Sequence, residues 1–183
     1  MVKRQHIRVP YELLDSQVPN EAKKVFIAIM QSRNGTNKQI KVKIKTIAAK
    51  AGLKERQVKN YIKILCQNNM LSRKQIRYGD GAWGCNTYTI LCDEKYFAEI
   101  PFCIASDANL SAQALIAYCF MKRFTNLNKR DYICIMEKTQ LAEKLGCSVN
   151  HADKVKRMLK KAGYINYKYG NLQIILVYEQ QLN

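Results

Sequence analysis

Between Lys54 and Lys63 the chain reads KERQVKNYIK, and six of these ten side chains are long and polar or basic. On a helix advancing 100° per residue, Val58, Tyr61, Ile62 and Leu65 gather on one side, while Arg56, Gln57, Asn60 and Lys63 fall on or near the other. A guanidinium fork matches the O6 and N7 edge of guanine, and a Gln or Asn amide matches the donor and acceptor of adenine. Lys54, at the start of the helix, and Lys59 have the reach and charge for phosphate oxygens. Such residues on one helix face can read bases in a groove. The same set could also form an ordinary solvated face, so the surrounding elements decide its value.

Those elements occur twice. TIAAKAGLKERQVKNYIKIL from Thr46 aligns without a gap on QLAEKLGCSVNHADKVKRML from Gln140, an offset of 94 residues. Ala48, Lys50, Gly52 and Leu65 match Ala142, Lys144, Gly146 and Leu159. Upstream, Ile7 to Tyr11 corresponds to Ala98 to Phe102 at offset 91, and VPNEAKKVFIAIM corresponds to LSAQALIAYCFMK at offset 92. Three landmarks in one order predict two related units, residues 1–94 and 95–183, with short loop insertions between landmarks. In the second unit Asn150, His151, Lys154 and Arg157 take the outward positions, and Ala152, Val155 and Leu159 face the core. Asp153 intrudes on that surface and would repel phosphate.

The 31 Lys and Arg against 14 Asp and Glu give a net charge of +17. The excess is uneven: 18 basic and 5 acidic residues lie up to Ile90, 13 and 9 beyond it. A basic surface usually signals a polyanionic partner, most often nucleic acid; a lipid headgroup or plain solubility accounts less easily for the uneven division, in which the first unit is the better equipped. Seven cysteines, an odd number without a C-x-x-C pair, read as reduced, mostly buried small hydrophobes. With two histidines in the chain, a zinc site is not expected. No apolar run reaches the ~18–20 residues of a membrane span, and the N-terminus MVKRQHIRVPYELL lacks a signal core. The expectation is a cytoplasmic, DNA- or nucleoid-associated protein.

Around each candidate reading helix the same order is predicted. In the first unit Ser16 or Asn20 caps a helix over 21–33, a strand covers 41–44, a short helix 45–51 ends at Gly52, and the long helix runs 54–68. Strands over 71–78 and 85–91 then flank a glycine-rich loop bearing Trp83. Arg73, Lys74 and Arg77 make that hairpin basic, while Trp83 itself is expected to fold back on the core. The second unit repeats this with Ser111 and Ser148 as caps, helices over 111–124, 138–145 and 148–163, a strand over 131–136, and strands over 164–169 and 172–178 turning through Gly170-Asn171.

Helix, strand, helix, glycine turn, helix and hairpin is the order of a winged helix-turn-helix, and both halves resemble that family. The stretch VPYELLDSQVPNEAKKVFIAIM, followed by helix-turn-helix, is similar to the N-terminal domains of plasmid replication initiators and phage replisome organisers. The resemblance implies an α+β fold, mainly α with small β-hairpins, in two tandem winged helix-turn-helix domains. It also implies sequence-specific binding of double-stranded DNA, as a transcription regulator or a replication initiator of a plasmid- or phage-type element. Two such units could sit in successive grooves, ~34 Å apart. Self-pairing as a homodimer through the second unit is a further expectation, with Tyr118 and Phe124 either lining that interface or filling the core.

No glycine-rich phosphate loop follows a strand, no H-E-x-x-H occurs, and the carboxylates are scattered, so no enzyme activity, cofactor or metal is expected. The alternative is an adaptor or inhibitor that docks a partner protein through the same domains.

Overall fold

The helix Asn20–Met30 (α2) is buried on nearly every side, with Ala22 through Met30 all inside. The spacing of Ala22, Val25, Phe26, Ile29 and Met30 accounts for one face. The opposite face, which the pattern leaves to Lys23 and Lys24, is buried as well because a second long helix, Ala112–Arg123 (α6), packs against it. The two lysines stay inside by donating to backbone carbonyls: Lys23 Nζ to Leu14 O at 2.7 Å and Lys24 Nζ to Leu110 O at 2.6 Å. Such bonds offset part of the cost of drying an ammonium. Phe26, Tyr118 and Phe120 are fully buried here, and each contributes on the order of 1.5–3 kcal/mol of apolar burial.

This computed structural model describes residues 6–35, 37–75, 85–125, 133–168 and 173–176. Each half carries one mixed α/β unit. In the first, α2 is followed by strand Gln39–Val42 (β2), helix Ile44–Ala51 (α3), helix Glu55–Gln67 (α4) and strands Leu71–Lys74 (β3) and Asn86–Ile90 (β4). The strands form an antiparallel sheet in the order β2-β4-β3. In the second, α6 is followed by strand Ile133–Cys134 (β6), helix Lys138–Leu145 (α7), helix Val149–Lys161 (α8) and strands Ile165–Lys168 (β7) and Gln173–Leu176 (β8), in the order β6-β8-β7. Shifted by 94 residues, the bounds of α3, α4 and β3 become those of α7, α8 and β7. The chain is therefore a mixed α+β protein with an internal repeat of elements.

Two short pieces complete each half. Strand His6–Pro10 (β1) leads into helix Tyr11–Asp15 (α1), and strand Phe97–Pro101 (β5) leads into helix Phe102–Ala105 (α5). β1 and β5 pair with each other, antiparallel, in a two-stranded sheet joining the halves. One buried cluster runs through both halves, from Ile7 to Leu176. The expected boundary near residue 94 falls in the loop between β4 and β5.

Several expectations need correction. Neither Ser16 nor Asn20 caps α2: Pro19 holds the cap position, Ser16 Oγ donates to Leu13 O at 2.6 Å, and Asn20 Nδ2 donates to Leu145 O at 3.2 Å. The helix stops at Met30 rather than Arg33, whose Nε donates to Asn37 O. The first strand lies two residues earlier than expected, because Ile44 already belongs to α3. Tyr118 is a core residue, and Phe124 lies just past the end of α6, about half exposed. Ser111 and Ser148 cap as expected, accepting from Ala114 N and His151 N. Arg77, Trp83 and the Gly170-Asn171 turn lie outside the described residues.

Candidate nucleic-acid interface

Gly52 sets the angle at which α4 leaves α3. Its φ of +65° is left-handed, and Gly52 N–H and Leu53 N–H return to the carbonyls of Ala49 and Ala48. Lys54 has no side-chain acceptor to cap the next helix. Gln57 supplies the bond from within, its Oε1 accepting Lys54 N–H at 3.1 Å.

Val58, Ile62 and Leu65 are buried and anchor α4 to α2 and α3, while Tyr61 is half-buried. Lys54, Arg56, Gln57, Lys59, Asn60 and Lys63 are all exposed. At 100° per residue, Arg56, Lys59, Asn60 and Lys63 share an arc about 100° wide, opposite Val58 and Leu65. Gln57 lies to one side of it, with its carbonyl oxygen engaged in the cap. The charge continues beyond the helix. From Lys38 to Lys74 there are eleven basic residues and one acidic residue, Glu55; residues 132–168 hold eight and three.

Arg73 and Lys74 are exposed on β3, opposite Tyr88 and Thr87 of β4. The base of the hairpin and the start of α4 enclose a cleft of about 470 Å³ lined by Lys43, Lys45, Glu55, Lys59, Gln75 and Asn86. Sequence reasoning passed over Lys43 and Lys45. Both are exposed, one just before α3 and one inside it, and the alternating Lys41-Val42-Lys43-Ile44 pattern was the signal that could have found them. A second cleft of about 390 Å³ lies on the other side, between Lys63, Arg73, Ile62 and Leu91. Burial pushes the Cys66 thiol there up, and the charge of Arg73 pulls it partly back.

The equivalent surface of α8 is assembled differently. Asn150, His151, Lys154 and Arg157 are exposed, and Ala152, Val155 and Leu159 are buried. Two of the four polar groups are already engaged. His151 Nε2 lies 2.5 Å from Gln113 Oε1 on α6. Arg157 Nε donates to Asp153 Oδ2 at 3.0 Å and its Nη2 reaches the same oxygen, which holds the Asp153 carboxyl below its usual pKa. Lys156, aligned with Ile62, is buried beside the Tyr167 ring, and burial lowers its pKa.

No helix among the described residues is long and apolar enough to cross a membrane. Neither the protein-family models nor the curated proteins searched yield a match to this chain.

Proposed function

We propose that each half is a winged helix-turn-helix and that the protein binds double-stranded DNA, reading bases in the major groove with α4. The observation that carries this is the outer arc of α4: Arg56, Lys59, Asn60 and Lys63 lie exposed together beside clefts edged by Lys43, Lys45 and Arg73. A helix buried on one side, with base-pairing chemistry on the other and cations flanking it, fits a duplex groove. Arg73 and Lys74 contact the adjoining backbone, and Arg77, three residues on in the sequence, is assigned the same role. α8 contributes contacts of lower value, since Arg157 and His151 hold intramolecular partners. Regulation of transcription, or initiation of replication for a plasmid- or phage-type element, is the role this family resemblance implies.

The test is selection of bound duplexes from a random pool, followed by mobility shifts for wild type and an Arg56→Ala/Asn60→Ala double variant. The expected outcome is a preferred sequence, with the variant losing about 10–100-fold per base contact and retaining weak, salt-dependent binding. A wild type that enriches no sequence and instead captures one protein partner replaces this reading with an adaptor.

A further inference from the structure

The β1–β5 ribbon pairs residue 6 with 101, 7 with 100, 8 with 99, 9 with 98 and 10 with 97. The repeat, at offset 91, makes Arg8 and Glu99 equivalent positions of the two halves. Position 8 therefore faces its own counterpart, and the pair Ile7–Ile100 maps onto the pair Ala98–Val9. Such a register has a two-fold axis between Arg8 and Glu99, the arrangement found at the centre of an isologous homodimer.

Contacts away from the ribbon obey the same axis. Gln31 and Arg123 are equivalent at offset 92, and each reaches the other half's short helix. Gln31 Nε2 donates to Ala105 O at 2.7 Å, and Arg123 Nη1 donates to both oxygens of Asp15 at 2.7 and 2.8 Å. Likewise each glycine turn lies by the other half. A Cβ on Gly52 would sit 2.8 Å from Ala108 O, and Leu145, just before Gly146, accepts from Asn20. The long helices α2 and α6 pack across the axis.

On the axis itself the symmetry is broken in a telling way. Arg8 Nε lies 3.1 Å from Glu99 Oε1, and the Arg8 guanidinium sits 4.5 Å from the centre of the Phe97 ring. Between identical chains a β1–β1 ribbon would oppose Arg8 to Arg8, and a β5–β5 ribbon Glu99 to Glu99. Like charges directly opposite disfavour pairing, and unlike charges favour it. Only two diverged copies can place a cation and an anion on a two-fold axis.

We propose that one chain is itself a fused, intramolecular dimer whose halves occupy each other's pairing surface, engaging one DNA target in one fixed orientation. The closure stands on the ribbon and the contacts that share its axis, whereas the DNA target rests on the function proposed above. Because α4 and α8 differ in their outer residues, the target lacks inversion symmetry. The same closure leaves α6 covered by α2, so a homodimer built on the second unit has no vacant face there.

An Arg8→Cys/Glu99→Cys variant tests this. Opposed Cα atoms in an antiparallel pair lie ~4.5–5.5 Å apart, within disulfide reach. Oxidised and denatured without reductant, the variant is expected to run as one chain, with the peptides around positions 8 and 99 linked in mass spectrometry. Light scattering should give one chain for wild type, free and on its selected duplex, which needs no variant to fold. The locked variant should bind that duplex within about twofold of its reduced form. A two-chain species linked through positions 8 and 99, or two wild-type chains per duplex, overturns the proposal. If wild type and locked protein both fail to bind any duplex while the intrachain link forms, the DNA reading falls and the closure survives.

Discussion

Lys63 and Arg157 hold equivalent places in α4 and α8, yet their surroundings differ by one residue a turn earlier. α8 has Asp153 there, which Arg157 engages; α4 has Lys59. A guanidinium tied to a carboxylate must exchange that partner for a base or phosphate, so its net gain on binding is small. If α4 and α8 read DNA as proposed, that difference is one of those that make them unequal. Buried cysteines give the residue scale its own prediction. Burial pushes the Cys92 and Cys134 thiols up to about 12, and Cys119 higher still, from an ordinary value of 9.0. The sign follows from which state ionises first. Below about pH 9 both states hold the proton and the stability is fully present. As pH rises from 9 towards 12 the unfolded thiols ionise while the folded ones do not, and stability falls by about 1.4 kcal/mol per thiol per pH unit. Lys23, Lys24 and Lys156 act in the opposite sense, since burial lowers their pKa values below 10.5 and the folded protein sheds those protons first. Comparing wild type with Cys92→Ala/Cys134→Ala by urea denaturation in reductant isolates the thiols. The variant starts less stable but should lose less on going from pH 8 to 10.5; equal losses would refute the account.

At the scale of elements, the two glycine turns form a natural control for each other. Gly52 and Gly146 have φ of +65° and +62°, so alanine at either is strained by about 1–2 kcal/mol. Only at Gly52 would the new Cβ also meet backbone, the Ala108 carbonyl oxygen at 2.8 Å; Gly146 faces open space. Gly52→Ala should therefore lower the melting temperature clearly more than Gly146→Ala, and should loosen the joint between the halves as well as the α3–α4 angle. Equal shifts in thermal denaturation would show that the Ala108 contact is not restrictive. These turns were legible in the sequence because glycine, apolar spacing and caps act within about ten residues of one another. The same locality explains why α7 and the span of α3 through Ala51 emerged close to their observed bounds. What the sequence hid is non-local. Nothing around Ile7-Arg8-Val9 or Ala98-Glu99-Ile100 says that these strands pair with each other across 91 residues, nor that α6 covers the lysine face of α2. The short helices α1 and α5, five and four residues long, are set by the proline that precedes each and by tertiary packing, and they carry no periodic signal of their own. Of the candidate site, the exposure of the α4 residues followed from periodicity, whereas the engagement of His151 by Gln113 depended on which helix lies next to α8.

For the whole molecule the governing quantity is the lopsided charge, and it sets how the proposed DNA binding should respond to salt. Each Lys or Arg that neutralises a DNA phosphate releases condensed counterions, so log K falls with log salt at a slope of about −0.9 per contact. The stretch from Lys38 to Lys74 supplies eleven cations against one carboxylate. If ~6–10 of the chain's cations reach phosphates, affinity should drop about 10³–10⁵-fold between 50 and 200 mM salt. Base-reading and backbone-holding residues then separate in one titration. Lys59→Ala and Lys43→Ala should weaken selected and random duplexes alike and reduce the slope by about one each, since a phosphate contact carries no sequence information. Asn60→Ala should leave the slope unchanged and shrink the gap between selected and random duplex, because an amide releases no counterion. The second half offers an internal reference. Lys154→Ala on α8 should change the slope less than Lys59→Ala if the half-to-half asymmetry in charge and pairing governs contact with the duplex. Equal slope changes at Lys154 and Lys59 would mean that both halves grip the backbone alike, and that the asymmetry of the two helices concerns bases alone.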